Sequence, residues 1–285
     1  MYTRSCPRRI LRQLATALAL GSAGFGMIDC ADQPKPYCVV SPYPFAVKLL
    51  ETNRSENMPG ACDGFGPQTF NADARVGVVP FYPSGKNGDS DYTNGSVGIQ
   101  TAEVGSIFYR AMAQGVQNTA PGGQVYSLGK FADSRPDERD LCHVPSLSPT
   151  HVVVAEVPGT PDDPATDDDE SVPLQPAMDI RLVWSNVDIY VVPANYGTQF
   201  QADLVDTRVA PNGSTCTIRY RALGLSPSTS CQEEDGALDP KYCQPLDDPD
   251  NAQSSGSEIT IDTDYQCDPA TGYCQINGNA IPAIK

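Results

Sequence analysis

Cysteine parity is the tightest constraint on how this chain can fold. Ten cysteines occur in 285 residues, and two of them, Cys6 and Cys30, fall in or just after an N-terminal leader. The other eight, Cys38, Cys62, Cys142, Cys216, Cys231, Cys243, Cys267 and Cys274, can all pair with one another. An acidic, proline-bearing stretch from Pro158 to Gln175 separates the first three from the last five. Both numbers are odd, so complete pairing requires at least one disulfide across the stretch. The expectation is one β-rich domain over residues 30–285, with 158–175 as an internal acidic loop.

Pairing presupposes an oxidising compartment, and the leader supplies one. Met1–Gln13 is basic, with Arg4, Arg8, Arg9 and Arg12. Leu14–Ile28 is apolar but broken by Gly21, Gly24 and Gly26. A membrane span needs about 20 apolar residues, whereas a signal-peptide core needs about 7–15, so residues 1–29 read as a signal peptide. Pro7 stands where a twin-arginine signal has Ser or Thr. In Met27-Ile28-Asp29-Cys30 the cysteine occupies the place of the acylated residue of a lipoprotein. Asp29 is larger and more charged than the residue that usually precedes it, and a cut after Ala23 or Gly26 is the alternative. A retained free Cys30 would leave nine thiols and one without a partner, so parity favours either acylation or removal of Cys30, and the resemblance described below adds weight to Cys30 as a lipidation site. The protein is expected to be exported, either outer-membrane-anchored or periplasmic or extracellular, and to meet a membrane only through that anchor.

The net charge is −16. Once the four arginines and one aspartate of residues 1–29 are set aside, 15 basic side chains face 34 acidic ones. Such a surface repels nucleic acid and anionic lipid headgroups rather than binding them, which excludes nucleic acid as a partner. Asp162, Asp163, Asp167, Asp168, Asp169 and Glu170 lie within the 158–175 stretch, which reads as a solvated loop.

The rest of the chain is a succession of short β patterns and turns. Tyr37–Val40, Phe45–Leu50, Val76–Val79 (ended by Pro80) and Val125–Leu128 read as strands. Val152–Val157 is a continuous apolar run suited to a strand buried on both faces. One helix is expected at about 102–114, capped by Thr101, with Glu103 in its first turn and Gly115 at its end. Val104, Ile107, Phe108, Ala111 and Met112 would form its apolar face. Ile180, Leu182 and Trp184 alternate inward, then Val187, Ile189 and Val191 do so one residue out of phase, so Ser185-Asn186 marks a turn or bulge. Phe200, Ala202 and Leu204 alternate next. Asn212-Gly213 is a hairpin turn into Cys216, Ile218, Tyr220 and Ala222, with Arg219 and Arg221 outward. Ile259 and Ile261 suggest a last strand, and the Pro-Gly turn between Cys267 and Cys274 suits a disulfide-closed hairpin. The fold class is therefore mainly β: an antiparallel β-sandwich with one packed α-helix, stapled by disulfides.

The second half resembles a set of uncharacterised predicted lipoproteins from myxobacteria. The resemblance is carried by Val183-Trp184-Ser185-Asn186-Val187, Tyr196-Gly197-Thr198-Gln199-Phe200-Gln201-Ala202-Asp203-Leu204, Cys216-Thr217-Ile218-Arg219-Tyr220 and Cys267-Asp268-Pro269 with Cys274. Weaker likenesses lie at Phe45-Ala46-Val47-Lys48 and Cys142-His143-Val144-Pro145. It implies an exported, lipid-anchored, β-rich protein and no assigned activity.

Chemistry is sparse. The sequence has no nucleophile elbow, zinc-protease helix, P-loop or dinucleotide glycine pattern, and nothing in it calls for a cofactor. His143 and His151 are the two histidines. Cys142-His143 is a poor metal pair, because neighbours on a strand point to opposite faces. Asn87, Asp89 and Asp91 have the 1-3-5 spacing of a calcium loop, but Tyr92 and Gly98 stand where the tight-turn glycine and the bidentate carboxylate belong. A glycine-rich hairpin loop accounts for them more simply. Trp184, in phase with Ile180 and Leu182, reads as a core residue rather than a sugar platform. The leading functional expectation is a non-enzymatic structural or interaction module, with a protein or glycan partner unspecified. The alternative is an extracellular hydrolase acting on a polymer such as glycan or peptide.

Overall fold

The computed structural model describes residues 35–65, 75–159, 173–193, 195–233, 235–243 and 264–283. The leader, Cys30, the expected strand at Ile259–Ile261 and residues 160–172 of the acidic loop lie outside them. Among the described residues the architecture is mainly antiparallel β with one α-helix, as expected. The sandwich is formed by one sheet rolled onto itself, in the order β4-β3-β2-β1-β9-β8-β7-β5, with β6 also paired to β7. The strands are β1 (Phe45–Glu56), β2 (Arg75–Phe81), β3 (Ser96–Thr101), β4 (Ser127–Lys130), β5 (Leu141–Ser146), β6 (Thr150–Val154), β7 (Met178–Val192), β8 (Asn195–Val209) and β9 (Thr215–Leu225). The two edges nearly meet. Ala132 N–H, just beyond β4, donates to the His143 carbonyl of β5 at 2.8 Å. A Cβ on Gly129 would lie 2.6 Å from the Ser146 carbonyl, so β4 approaches β5 as closely as it does because residue 129 has no side chain.

β7 is the spine of the roll. Its upper half pairs with β5, its lower half with β6, and its whole length with β8. The expected phase change is a β-bulge. Ser185 opposes Asp203 and Asp188 opposes Gln201, so Asn186 and Val187 together face Ala202. Asn186 takes the left-handed conformation (φ +50°), which asparagine tolerates better than most residues, and its amide donates to Asp203 at 2.7 Å. The extra residue keeps Val187, Ile189 and Val191 facing the same interior as Ile180, Leu182 and Trp184, and all six are buried. Phe200 occupies the centre of that interior, edge-on to Phe45 (5.1 Å) and Trp184 (6.5 Å). It lies directly over Gly224, where a Cβ would be 2.0 Å from the ring.

The helix α1 (Ala102–Ala113) covers part of the interior and is built as expected. Thr101 Oγ1 accepts from Val104 N–H, and Glu103 sits in the first turn. The chain leaves through Gly115 at φ +74°. Met112 is not on the buried face; it is 54% exposed, and Gly105 takes a buried place instead.

A second, smaller core lies on the outside of the sheet. There β10 (Tyr265–Asp268) and β11 (Tyr273–Ile276) form a hairpin whose Ile276, with Ile281 and Ala283, packs against Leu141, Leu223 and Leu225. Ala283 N–H donates to Gln199 Oε1 at 2.8 Å, and Lys48 Nζ to the Gly278 carbonyl at 2.9 Å.

All eight cysteines pair, as Cys38–Cys142, Cys62–Cys216, Cys231–Cys267 and Cys243–Cys274. Cys62–Cys216 is the bond that parity required across the acidic stretch. Cys267 and Cys274 face each other across the β10–β11 hairpin but do not bond. The segment between Gly224 and β10 brings Cys231 and Cys243 against them, and each bonds one of the newcomers.

Three other expectations are corrected. Tyr37–Val40 is not a strand: it is fenced by Pro36, Pro42 and Pro44 and fixed by the Cys38 disulfide. β2 runs through Pro80, because β1 pairs with β2 only at Phe45 and Ala46, so the missing N–H breaks no bond to β1. The Val152 run is half-buried, alternating like its neighbours, since only its inward side faces the core.

The bulge makes a prediction. Asn186→Val forces a β-branched side chain into the left-handed region and is expected to cost roughly 1–2 kcal/mol, while Asn186→Gly stays within about 1 kcal/mol of the parent. Urea unfolding of the two variants measures the difference.

Candidate functional site

Two clusters of ionisable side chains stand out among the described residues, and both grow from strand alternation. On β8 the inward series Phe200, Ala202, Leu204 continues without change of phase into Asp206 and Arg208. The strand therefore delivers a charged pair to the apolar interior. Arg208 Nε donates to both oxygens of Asp206 (3.2 and 3.1 Å), and its Nη1 and Nη2 grip the two oxygens of Glu103 at 2.7 and 2.8 Å. The Arg208 side chain is 6% exposed and that of Asp206 4%. The guanidinium also lies 5.5 Å from the Phe65 ring centre. Burial pushes the Asp206 carboxyl up to about 6; Arg208 opposes the rise and the Glu103 charge adds to it. The Tyr220 hydroxyl is buried nearby, and burial followed by the Asp206 charge raises its pKa as well. One arginine thus faces two carboxylates, and the forked pairing ties the first turn of α1 to the sheet.

The second cluster surrounds His143. On β5, Cys142 turns inward to its disulfide and His143 turns outward toward β7. Its Nδ1 lies 2.6 Å from Asp188 Oδ1 and its Nε2 3.1 Å from Asp137 Oδ2. Gln201 Nε2 donates to the other oxygen of Asp188 at 2.8 Å. Asp137 Oδ1 accepts from the backbone N–H groups of Arg139 (2.8 Å) and Leu141 (2.9 Å). Burial lowers the His143 pKa, but hydrogen bonds to Asp188 and Asp137 and their charges outweigh it and hold the imidazole above its ordinary 6.5. Burial raises the Asp137 carboxyl, yet the Leu141 N–H, His143 and Arg139 bring it down to about 2. With a carboxylate on each ring nitrogen, the cationic form of the imidazole is favoured over the neutral one. The two aspartates lie on opposite sides of the ring, so they cannot join it on one metal ion. His151 makes a single pair, Nε2 to Asp179 Oδ1 at 3.0 Å.

The other sequence candidates are placed as follows. Asp91 caps a short 3₁₀ turn: its carboxylate accepts from Thr93 N–H (2.9 Å) and Asn94 Nδ2 (2.7 Å), while Asp89 contributes its backbone carbonyl to Gly85 N–H. Asn87, Asp89 and Asp91 lie in the β2–β3 hairpin loop. Trp184 is buried in the core. Among the described residues, the cluster with metal-ligand spacing is Cys231, Cys243 and Cys274, whose sulfurs are engaged in disulfides. A shallow groove of about 200 Å³ runs over the outer face of β2 and β3, floored by Gly77 and Gly98 and walled by Val79, Phe81 and Tyr126. The Asp206–Arg208 pair was missed, although a signal for it exists in two charges that continue the phase of Phe200, Ala202 and Leu204. The Asp137–His143–Asp188 clamp was missed too and has no such signal, because it depends on the β5–β7 register.

Residues 45–227 match the model of the MlpA family. The chain belongs to the MlpA family. The match spans β1 through β9, includes both ionic clusters, and stops before the C-terminal hairpin and its two disulfides. The Cys267–Cys274 part of the resemblance therefore lies beyond it. The family is uncharacterised, and no match is found among curated proteins or among solved structures.

Two outcomes are expected for this MlpA-family chain. Arg208→Met leaves two carboxylates buried without their cation and should cost roughly 3–5 kcal/mol, read from urea unfolding. A histidine with a raised folded pKa stabilises fully below its ordinary value and loses that contribution as pH rises through the raised one. The difference in Tm between the parent and His143→Gln should therefore be greatest below pH 6.5 and shrink as the pH is raised. A difference that grows with pH would contradict the clamp.

Proposed function

We propose that the protein is an exported cell-envelope lipoprotein of the myxobacterial kind it resembles, anchored through Cys30 and acting as a non-enzymatic structural or interaction module. The observation that carries this reading is the pairing of all eight remaining cysteines into four disulfides, a state that persists in oxidising compartments outside the cytosol. Lipidation of Cys30, like its removal with the leader, leaves no unmatched thiol. The leader and the position of Cys30 support the same reading.

The character of the ionic clusters supports a non-enzymatic role. A general acid or base needs access to a reacting atom. Arg208 occupies Asp206 and Glu103 in the interior, and His143 has both nitrogens occupied by carboxylates. These groups hold elements together: α1 to β8, and the loop before β5 to β7.

Intact-mass analysis of the mature protein, before and after reduction, tests the reading. The expected result is an N-terminus at Cys30, a mass increment for acyl chains, and a gain of eight hydrogens on reduction, two for each of the four disulfides. A mature chain beginning at residue 24 or 27 without an acyl increment would overturn anchoring. Turnover in a glycosidase and peptidase screen, abolished by one carboxylate substitution, would overturn the non-enzymatic role.

A further inference from the structure

The N-terminal segment is fixed to one end of the β7–β8 ribbon, and that end carries a group of exposed tyrosines. Ser41 N–H donates to the Gly197 carbonyl at 3.0 Å, beside the β7–β8 turn. Cys38 is bonded to Cys142, its N–H donates to the Ser134 carbonyl at 2.9 Å, and Tyr82 Oη donates to its carbonyl at 2.6 Å. Gly197, at φ +69°, lies so close to the segment that a Cβ would come 2.3 Å from the Val39 carbonyl. The position of Lys35 on the body is thus determined. Cys30 lies five residues before it, and an extended chain covers at most about 3.6 Å per residue. An acyl group on Cys30 holds this end within about 18 Å of the lipid.

Four tyrosines are exposed here: Tyr37 (38%), Tyr43 (51%), Tyr92 (36%) and Tyr196 (56%). Tyr37 stacks on Tyr92 with ring centres 4.7 Å apart, and the Arg135 guanidinium lies 4.5 Å from the Tyr37 ring centre on the stack. Tyrosine presents an apolar ring and a polar tip, the combination that favours the headgroup region of a bilayer. Arginine beside it can pair with phosphate.

The charge distribution agrees. Segments 35–44, 81–96 and 130–143, which carry Tyr37, Tyr43, Tyr92 and Arg135, hold five basic and six acidic side chains, against 15 and 34 for residues 30–285; the more acidic segment that starts at Ser226 borders the same end, with Ser228 N–H donating to the Pro44 carbonyl at 2.9 Å. Most of the acidic side chains lie outside these three segments. Some of them are in the acidic loop, whose stem is closed by reciprocal hydrogen bonds between Val157 and Gln175 (2.9 and 3.0 Å). That stem adjoins the far end of the ribbon, where Val154 pairs with Met178 and Asp179 with Val209. From Asp179 to Val191 the strand extends about 40 Å at about 3.3 Å per residue.

We propose that this tyrosine-bearing end is the membrane-facing surface of the protein and seats Tyr37, Tyr43, Tyr92 and Tyr196 in the headgroup region of a phospholipid bilayer, so that the β7–β8 ribbon directs the stem of the acidic loop away from it. The proposal rests on the Cys30 anchoring given above and adds an orientation that anchoring alone does not require, since a lipidated chain can also hang free on its tether.

Tryptophan reporters test it. The full chain is produced with its leader and carries Tyr43→Trp, Tyr196→Trp or, at the opposite hairpin turn, Pro211→Trp. Trp184 is buried and supplies a constant background. The mature protein is reconstituted into phosphatidylcholine vesicles with brominated or plain acyl chains. The expected result is blue-shifted emission and loss of most of the reporter signal in brominated vesicles for Y43W and Y196W, with neither change for P211W. Vesicle-floated protein in which Y43W and Y196W are unquenched would overturn the orientation while leaving the anchor standing. Protein that fails to float overturns the anchor; the same variants are then mixed with excess brominated vesicles, where quenching of Y43W and Y196W sustains the surface and its absence overturns it. Circular dichroism of each variant checks that the fold is retained.

Discussion

The interior of the rolled sheet depends on one correction of phase. β7 is long enough to serve three partners, but a straight strand of that length would turn its second half inside out at Val187. The bulge at Asn186–Val187 prevents this by placing two residues opposite Ala202. Below it, Ile180, Leu182 and Trp184 line the core and β6 finds its register. Above it, Val187, Ile189 and Val191 line the same core, and β5 pairs so that Cys142 faces inward and His143 faces Asp188. The Cys38 disulfide, the His143 clamp and the seat of the N-terminal segment all lie on the upper half, and each needs the shift of one residue.

The two ionic clusters have different costs. His143 is half-buried and can exchange its carboxylate partners for water, so its contribution is modest and depends on pH. Arg208 has no such alternative. It is buried with two acids, and a well-packed apolar replacement of all three could equal it in stability. What an apolar set would lack is direction: the fork of the guanidinium fixes which turn of α1 meets which residue of β8.

Much of this was legible beforehand because local pattern and global fold agree. The helix followed from its Thr101 cap and Gly115 exit, the bulge from a change in the period of β7, and the β8–β9 hairpin from Asn212-Gly213. What escaped depends on partners distant in sequence. β3 and β5 are short, and their strand character comes from the neighbours they pair with. Cys267 and Cys274 looked like a closed hairpin because their spacing is local, while their true partners arrive from a segment more than 30 residues away. Cysteine parity was informative about distant pairing because it counts bonds without needing to know which they are.

The disulfides also divide by region. Cys38–Cys142 and Cys62–Cys216 belong to the rolled sheet and its N-terminal segment, whereas Cys231–Cys267 and Cys243–Cys274 tie the C-terminal hairpin to the segment before it, and among the described residues no disulfide joins the two regions. The reciprocal bonds of Val157 and Gln175 do for the acidic loop what those crosslinks do elsewhere: they return the chain to its point of departure. A loop whose ends are already joined can gain or lose residues at a cost that grows only with the logarithm of its length. With its ends joined at Val157 and Gln175, the length of the intervening segment enters the stability of the fold only as a small term.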